Sequence, residues 1–176
     1  MTRARRYLSP LAAAALMLSA GLAVADGPRS PDPLPLSAFP RERIVIETRS
    51  ARRHVFEAWR ADEPATRAQG LMFVEQLPAD RAMIFIYDPP QRVGMWMKNT
   101  LVPLDMLFVD RSGCVVRVHA EAEPGSLETI DSGERVVLVV ELAGGSASML
   151  GIARGDRVLR PAAAWPSESA ASTCPR

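Results

Sequence analysis

The chain has 176 residues, of which 48% are hydrophobic, and a formal net charge of +1 at pH 7. This length accommodates one domain with a substantial hydrophobic core and is short for two ordinary domains. The balanced charge lacks the excess of basic residues with which proteins neutralise phosphates, so we expect no nucleic-acid partner.

The first 25 residues have the organisation of a secretory signal peptide. Three arginines in the first six residues precede an apolar segment at 8–24, and residues 23–25 read Ala-Val-Ala, a small-x-small cleavage site. We therefore predict a periplasmic or secreted protein that begins at Asp26 and has no membrane insertion after cleavage. The alternative is a retained signal anchor, because the apolar segment is near the length that spans a bilayer.

The sequence divides into three parts after the predicted cleavage site. Residues 26–41 are rich in proline and predict an extended linker. Residues 42–160 predict a single β-rich domain, and 161–176 form a low-complexity tail. Export would allow Cys114 and Cys174 to form a disulfide. Two unpaired thiols, or pairing with another chain, remain alternatives.

Within the predicted domain, apolar residues mostly alternate with polar ones or form short apolar runs, which is typical of β-strands. Two short helices are predicted, from Asp62 to about Gly70 and from Ser146 to Leu150. Strands are predicted at 44–47, 54–59, 83–87, from 95 towards Pro103, and at 104–109, 115–119, 135–142 and 157–159. These elements predict a mainly β protein, a compact antiparallel β-sandwich or barrel with one or two short helices.

Lys98 and Asn99 are the only lysine and the only asparagine in the chain. A compact, strongly hydrated ammonium differs chemically from the planar fork of a guanidinium. A chain that uses arginine for every other basic position is therefore expected to need an ammonium at position 98. We take this pair as the chemical centre of the protein.

Several blocks of the sequence resemble the bacterial and archaeal family known as domain of unknown function 192. The most specific block reads Trp-Met-Lys-Asn-Thr, from Trp96, followed by Pro-Leu-Asp, from Pro103. The matching blocks are 67–73, 77–78, 82–88, 96–110, 113–118, 139–144 and 150–158. The resemblance implies a compact, jelly-roll-like β domain that often follows a signal peptide, and it implies no activity, because the family has none that is established.

A candidate binding site follows from the need to satisfy a buried acid. Glu141 lies in an apolar strand, and an unpaired buried charge costs several kcal/mol. Lys98 and Arg67 are the natural cations for it. The group is either a structural network that fixes the loop before Pro103 or the floor of a ligand pocket beside Trp96. The candidate binding residues are Trp96, Lys98, Asn99, Asp105, Arg67 and Glu141.

The leading functional hypothesis is a non-enzymatic binding module for a small or extended ligand of the cell envelope, either a glycan or a peptide. One alternative is a hydrolase that uses Lys98 with Asp105 or Glu141, although no residue is assigned a catalytic role. Another is an accessory module whose sheet edge pairs with another protein.

A further alternative is Cu(I) binding by Met95 and Met97, whose side chains would share one face of a strand. It is the weakest, because the chain uses methionine freely elsewhere as core filler. Zinc-ligand spacings and phosphate-binding loops are lacking, so we expect no resident metal and no cofactor.

Overall fold

The computed structural model describes residues 32–161 and residue 174. The predicted signal peptide, the first residues of the predicted linker and most of the predicted tail lie outside these ranges. Within them, every helix is too short or too polar to cross a bilayer.

Nine β-strands and two short α-helices form the described part of the chain, so the predicted mainly β class is confirmed. A single 3-10 turn at Leu36–Ala38 precedes them. In chain order the elements are β1 Arg41–Glu47, β2 Arg53–Ala61, α1 Pro64–Gln69, β3 Arg81–Gln91, β4 Gly94–Met95, β5 Leu104–Val109, β6 Val115–Ala122, β7 Ile130–Asp131, β8 Val136–Ala143, α2 Ser146–Leu150 and β9 Arg157–Leu159.

Seven of these strands form one sheet in the order β6-β5-β8-β3-β2-β1-β9, and β4 pairs with β7 in a small second sheet. The pairs are antiparallel as predicted, except that β2 and β3 run parallel. This exception follows from α1, because the helix and its following loop carry the chain from the end of β2 back to the start of β3. The predicted hairpin is present as β5 and β6.

The large sheet curls so that its two edge strands approach each other. The backbone N–H of Val115 donates to the carbonyl of Asp156 at 2.8 Å, and the N–H of Val158 donates to that of Gly113 at 2.8 Å. Beside this seam, Cys114 and Cys174 form a disulfide. Of the three possibilities that the sequence left open for the cysteines, the structure adopts the intramolecular bond, and the sheet resembles a partly closed barrel.

Side chains of the central strands alternate between two hydrophobic clusters. Met83 and Met106 belong to the first cluster, which also contains Leu71 and Met97 from segments outside the large sheet. The neighbouring Ile84 and Leu107 belong to the second cluster. Because both faces of the sheet are covered, the central strands are apolar on both faces.

The chain departs from the predicted strands in three places, of which one is β7, a strand that was not predicted. β3 continues through Pro89 and Pro90 to Gln91, with an irregular register after Ile86, so its predicted end at residue 87 was too early. The predicted strand from residue 95 ends at Met95 itself. It gives way to a turn because the N–H of Thr100 bonds to the carbonyl of Met97 at 3.0 Å.

The packed region begins before the predicted domain boundary at residue 42. Phe39 is 2% exposed and belongs to the first cluster. The backbone of Leu34 exchanges two hydrogen bonds with the side chain of Gln69, at 2.6 and 2.7 Å. The last residues of the proline-rich segment therefore pack against α1.

Candidate functional site

A cavity of about 90 Å³ lies between α1, β3, β4 and β8. Both polar and apolar side chains form its wall, and polar atoms contribute the larger part of its surface. Its polar and aromatic wall residues include Arg67, Tyr87, Trp96, Thr100 and Glu141. Three of the six residues predicted for the site, Arg67, Trp96 and Glu141, therefore meet around one cavity.

Glu141 is the buried acid of this cavity. It is 3% exposed, and it faces Met83 and Met106 on the neighbouring strands. Its Oε2 atom has no hydrogen-bond partner among the described residues, so the expected pair with Lys98 or Arg67 is not made at this atom. Burial raises the pKa of Glu141 to about 8. The carboxyl is therefore mainly protonated and neutral at pH 7.

Tyr87 and Arg67 occupy the wall beside this acid. The Tyr87 hydroxyl donates to Sδ of Met95 at 3.7 Å. Burial, then the charge of Glu141, raise the pKa of Tyr87 to about 12, against an opposing effect of Arg67. The guanidinium of Arg67 lies over the Tyr87 ring, 5.7 Å from its centroid.

Arg67 is also held by the backbone. Its Nη1 atom donates to the carbonyl of Ile86 at 3.1 Å and to the carbonyl of Asp62. These hydrogen bonds and the ring contact fix the direction of the guanidinium. Its charge is therefore positioned at the wall of the cavity by α1 and β3 together.

Lys98 and Asn99 do not line the cavity, but they lie in the chain between two of its wall residues, Trp96 and Thr100. We call this outer part of the cavity, around Trp96, its mouth. Lys98 is exposed, and its Nζ atom lies 5.3 Å from the centroid of the Trp96 ring, which is itself 49% exposed. Asn99 has a φ of 55°, and its carbonyl accepts the backbone N–H of Phe73 at 2.9 Å. Phe73 has a φ of 65° and is 50% exposed. Two residues in the left-handed region are thus joined directly, and the exposed ring of Phe73 follows Met72, a residue of the cavity wall.

Asp105 does not join this group. Its register partner on β8 is Leu142, so its side chain lies on the opposite face of the sheet from Glu141. It is 0% exposed, and its Oδ1 atom accepts the N–H groups of Glu121 at 2.8 Å and Gly145 at 3.1 Å. Its Oδ2 atom accepts the N–H of Ala147 at 2.7 Å. Asp105 therefore satisfies backbone donors at the start of α2, and the structure does not bring it to Lys98.

The two methionines considered for copper are core residues. Met95 is 8% exposed and Met97 is 0% exposed, and both pack in the first cluster. Met95 also accepts the hydroxyl of Tyr87. Both thioethers thus have packing roles that are independent of a metal.

Tyr87 and Phe73 are the site residues that sequence reasoning missed. In the sequence Tyr87 resembles any aromatic residue of a strand. Because side chains alternate along a strand, it lies on the same face as Met83, which pairs with Glu141 on β8. That signal depends on knowing that β3 pairs with β8. The exposure of Phe73 had no local signal, because its neighbours Leu71 and Met72 predict packing.

The fold and this site define a β domain with a small, partly polar cavity. The sequence matches the family DUF192, described as "Uncharacterized ACR", over residues 45–159. The chain belongs to this family. A comparison with functionally curated proteins found no match.

Two solved structures are similar in sequence and fold. A protein from Sinorhizobium meliloti 1021, named as a candidate transcription regulator, is 40% identical with a TM-score of 0.68, covering 69% of this chain and 95% of its own. A protein of unknown function from Novosphingobium aromaticivorans DSM 12444 is 34% identical with a TM-score of 0.69, covering 74% of this chain and 93% of its own.

Proposed function

We propose that this protein is a binding module whose ligand inserts a small polar group beside Glu141 and rests its remaining part on the aromatic mouth formed by Trp96 and Phe73. The observation that carries the proposal is the unpartnered Oε2 atom of a carboxyl that is 3% exposed. A buried polar atom without a partner costs about 1–3 kcal/mol. A ligand that hydrogen-bonds to this atom would offset that cost on binding.

The size of the cavity favours entry of one end of a ligand. Its volume of about 90 Å³ corresponds to roughly three water molecules at about 30 Å³ each. A larger glycan or peptide would therefore leave most of its atoms outside. The half-exposed rings of Trp96 and Phe73 offer an apolar surface there, and Lys98 and Asn99 offer polar groups.

The backbone at Phe73 supports a role for its exposed ring. A bulky residue in the left-handed region is strained by roughly 1–2 kcal/mol, and such strain is concentrated at binding and catalytic sites. The hydrolase alternative that pairs Lys98 with Asp105 has less support, because both carboxylate oxygens of Asp105 accept backbone hydrogens and its side chain lies on the opposite face of the sheet from Glu141. The pairing of Lys98 with Glu141 also has less support, because Oε2 of Glu141 has no hydrogen-bond partner among the described residues.

The Sinorhizobium relative is named as a candidate transcription regulator, but we do not extend that role to this chain. The balanced charge of this chain, with 21 basic and 20 acidic residues, gives no excess for phosphate contacts. An electrophoretic mobility assay with genomic DNA fragments is expected to show no shift at physiological salt. A shift that disappears only at high salt would favour the regulator function instead.

We also infer that the protein acts in the periplasm or outside the cell. The inference rests on the signal-peptide organisation of the first 25 residues. Cell fractionation with N-terminal sequencing is expected to give a chain that begins at Asp26 in the periplasm or medium. An uncleaved chain in the cytoplasm would contradict it.

The binding function is tested by NMR with the purified protein and a panel of sugars, short peptides, amines and organic acids. We expect at least one class to shift the Trp96 indole N–H resonance, which is assigned with Trp96→Phe. Glu141→Leu fills a similar volume without polar atoms and should abolish the shift, whereas Trp59→Phe, at a tryptophan outside the cavity wall, should not. A panel without any effect at Trp96, or unchanged binding to the Leu variant, would refute the proposal.

A further inference from the structure

We propose that the group entering the cavity is a carboxylate, so that the ligands are organic acids or the carboxyl ends of peptides. This inference rests on the binding function proposed above and names the chemical class of its ligand. It follows from the charges, the hydrogen-bond donors and the volume of the cavity.

The charge of the cavity favours an anion. Arg67 and Glu141 are the charged residues of its described wall. At neutral pH Glu141 is mainly uncharged, because burial raises its pKa to about 8, while the guanidinium of Arg67 stays charged. The wall then carries a net positive charge, and an entering ammonium would meet Arg67 without an ionised partner.

The hydrogen-bond donors of the cavity wall also favour an anion. In its protonated form Glu141 has an O–H to donate. The hydrogen bonds that Arg67 makes within the described residues come from Nη1, which leaves the hydrogens of Nε and Nη2 for a ligand. The Tyr87 hydroxyl donates to a sulfur, which is a weak acceptor. A carboxylate only accepts hydrogen bonds and is therefore complementary to a wall of donors.

The volume restricts which part of the ligand enters. About 90 Å³ suits a carboxylate with one attached methylene and is too small for a sugar ring. The next part of the ligand would reach the mouth, where the Trp96 and Phe73 rings are half exposed. Lys98 at the mouth, with its ammonium over the Trp96 ring, adds a second positive charge on the path of an approaching anion.

The proposal predicts that carboxylate binding depends on pH, because Glu141 must be protonated to donate a hydrogen bond to the ligand. Arg67 on α1 and Tyr87 on β3 share the cavity wall with Glu141, and Tyr87 stays neutral below its own pKa of about 12. The cross-strand neighbours Met83 and Met106 do not titrate. Carboxylate affinity is therefore expected to be nearly constant from pH 6 to 7.5 and to fall above pH 8, towards tenfold per pH unit, as Glu141 loses its proton.

Three probes that share a phenyl group and differ in their head group test this inference on the purified protein. They are 3-phenylpropionate, 3-phenylpropionamide and 2-phenylethylamine, titrated while the Trp96 indole resonance is followed. We expect the carboxylate to bind at least about tenfold more tightly than the other two, the ratio expected when a charged hydrogen-bonding group is lost. Equal or tighter binding of the amide or the amine, or carboxylate binding that is independent of pH from 6 to 9.5, would overturn the proposal.

Variants of Arg67 provide a second, independent measurement. Arg67→Gln should weaken 3-phenylpropionate binding about tenfold, and Arg67→Lys, which keeps the charge, should retain more affinity than Arg67→Gln and keep the pH profile. Arg92→Gln removes an exposed arginine outside the cavity wall and serves as the control. Because Arg67 also bonds to backbone carbonyls, each variant is first compared with the parent by thermal unfolding. Unchanged affinity in a folded Arg67→Gln variant would contradict the carboxylate site.

Two peptides test whether the natural carboxylate belongs to a peptide end or to a free organic acid. N-acetyl-Ala-Phe and its C-terminal amide differ only in the terminal charge. Tighter binding of the peptide acid than of 3-phenylpropionate would identify a peptide end, and the reverse would identify a free organic acid. If no probe or panel member affects Trp96, the binding function itself fails. If amines or amides bind there and carboxylates do not, only the carboxylate inference fails.

Discussion

Glu141 and Asp105 show that two buried carboxyls in one sheet have different roles. They lie on adjacent strands but on opposite faces, because side chains alternate along each strand. Asp105 accepts three backbone hydrogen bonds, whereas Oε2 of Glu141 has no partner among the described residues. Burial alone therefore does not distinguish a structural carboxyl from a candidate binding group, and the hydrogen-bond partners do.

The raised pKa of Glu141 predicts a stability that declines with pH. The folded protein holds this proton up to about pH 8, while the unfolded chain releases it near 4.5, the ordinary pKa of a glutamate side chain. The folded state therefore binds more protons between these values. The stabilisation is fully present below pH 4.5 and should be lost at up to about 1.4 kcal/mol per pH unit until pH 8.

Urea denaturation of the parent and of Glu141→Gln at several pH values measures this effect. The amide does not titrate, so the free energy of unfolding of the variant, relative to the parent, should rise from pH 4.5 to pH 8 and then level off. A difference between the two proteins that stays constant with pH would contradict the buried, neutral acid.

Asp105→Asn is expected to reduce the free energy of unfolding by about 3 kcal/mol. The change removes the negative charge and turns one accepting oxygen into a donor that faces backbone N–H groups. Chemical denaturation measures the loss. Asp80→Asn is the control, since the Asp80 side chain is 70% exposed and its change should cost less than about 0.5 kcal/mol. Equal effects of the two changes would contradict the structural role of Asp105.

Among the elements, the turn after β4 shapes the mouth of the cavity. The predicted strand does not continue past Met95, because Thr100 closes a turn on Met97 and Asn99 adopts a left-handed conformation. The carbonyl of Asn99 then holds the segment that follows α1 through the N–H of Phe73. Two loops that are distant in the sequence are thereby fixed to each other beside Trp96.

The strain at Phe73 predicts an unusual order of stability for two variants. Phe73→Gly and Phe73→Ala both remove the ring, but only alanine keeps a Cβ atom, which is unfavourable at a φ of 65°. The glycine variant should therefore be about 1 kcal/mol more stable than the alanine variant in chemical denaturation.

A matched pair at Val55 is the control for this comparison. Val55 is 45% exposed and lies within β2, where the backbone is extended. There the order should reverse, because glycine has the greater conformational entropy in the unfolded chain. An alanine variant at position 73 that is at least as stable as the glycine variant would contradict the strain.

At the scale of the whole molecule, the curled sheet is closed by a seam that the disulfide reinforces. Cys114 begins the segment that meets β9, and its bond to Cys174 spans a sequence separation of 60 residues. A cross-link of this length restricts the unfolded chain and stabilises by about 4 kcal/mol in the chain-entropy account. The C-terminal cysteine is thereby tied to the seam.

Reduction of this bond is expected to lower the free energy of unfolding by about 4 kcal/mol. Guanidinium denaturation with and without dithiothreitol measures the change. The double variant Cys114→Ser and Cys174→Ser should resemble the reduced parent and should not respond to the reductant. An unchanged midpoint of the parent after complete reduction would rule out a stabilising bond.

The sequence predicted the elements well because their signals are local. Hydrophobic alternation gave most strands and the β5–β6 hairpin, and the pattern around Ser146 gave α2. The extension of β3 through its prolines and the turn at Asn99 were missed, since both depend on contacts with β8 and with the segment after α1. Of the residues predicted for the site, the structure brings Arg67, Trp96 and Glu141 to one cavity and places Asp105 on the opposite face of the sheet.

The sequence by itself determined the class of the protein, its family and the presence of an acid within an apolar strand, because composition, periodicity and motif are properties of neighbouring residues. Only the tertiary structure decided which face of the sheet each acid occupies, that Glu141 meets Arg67 and Tyr87 around a cavity, and that the sheet closes beside a disulfide. Those features depend on strand order and register. Register is fixed by contacts between distant segments, and shifting it by one residue would exchange the two faces.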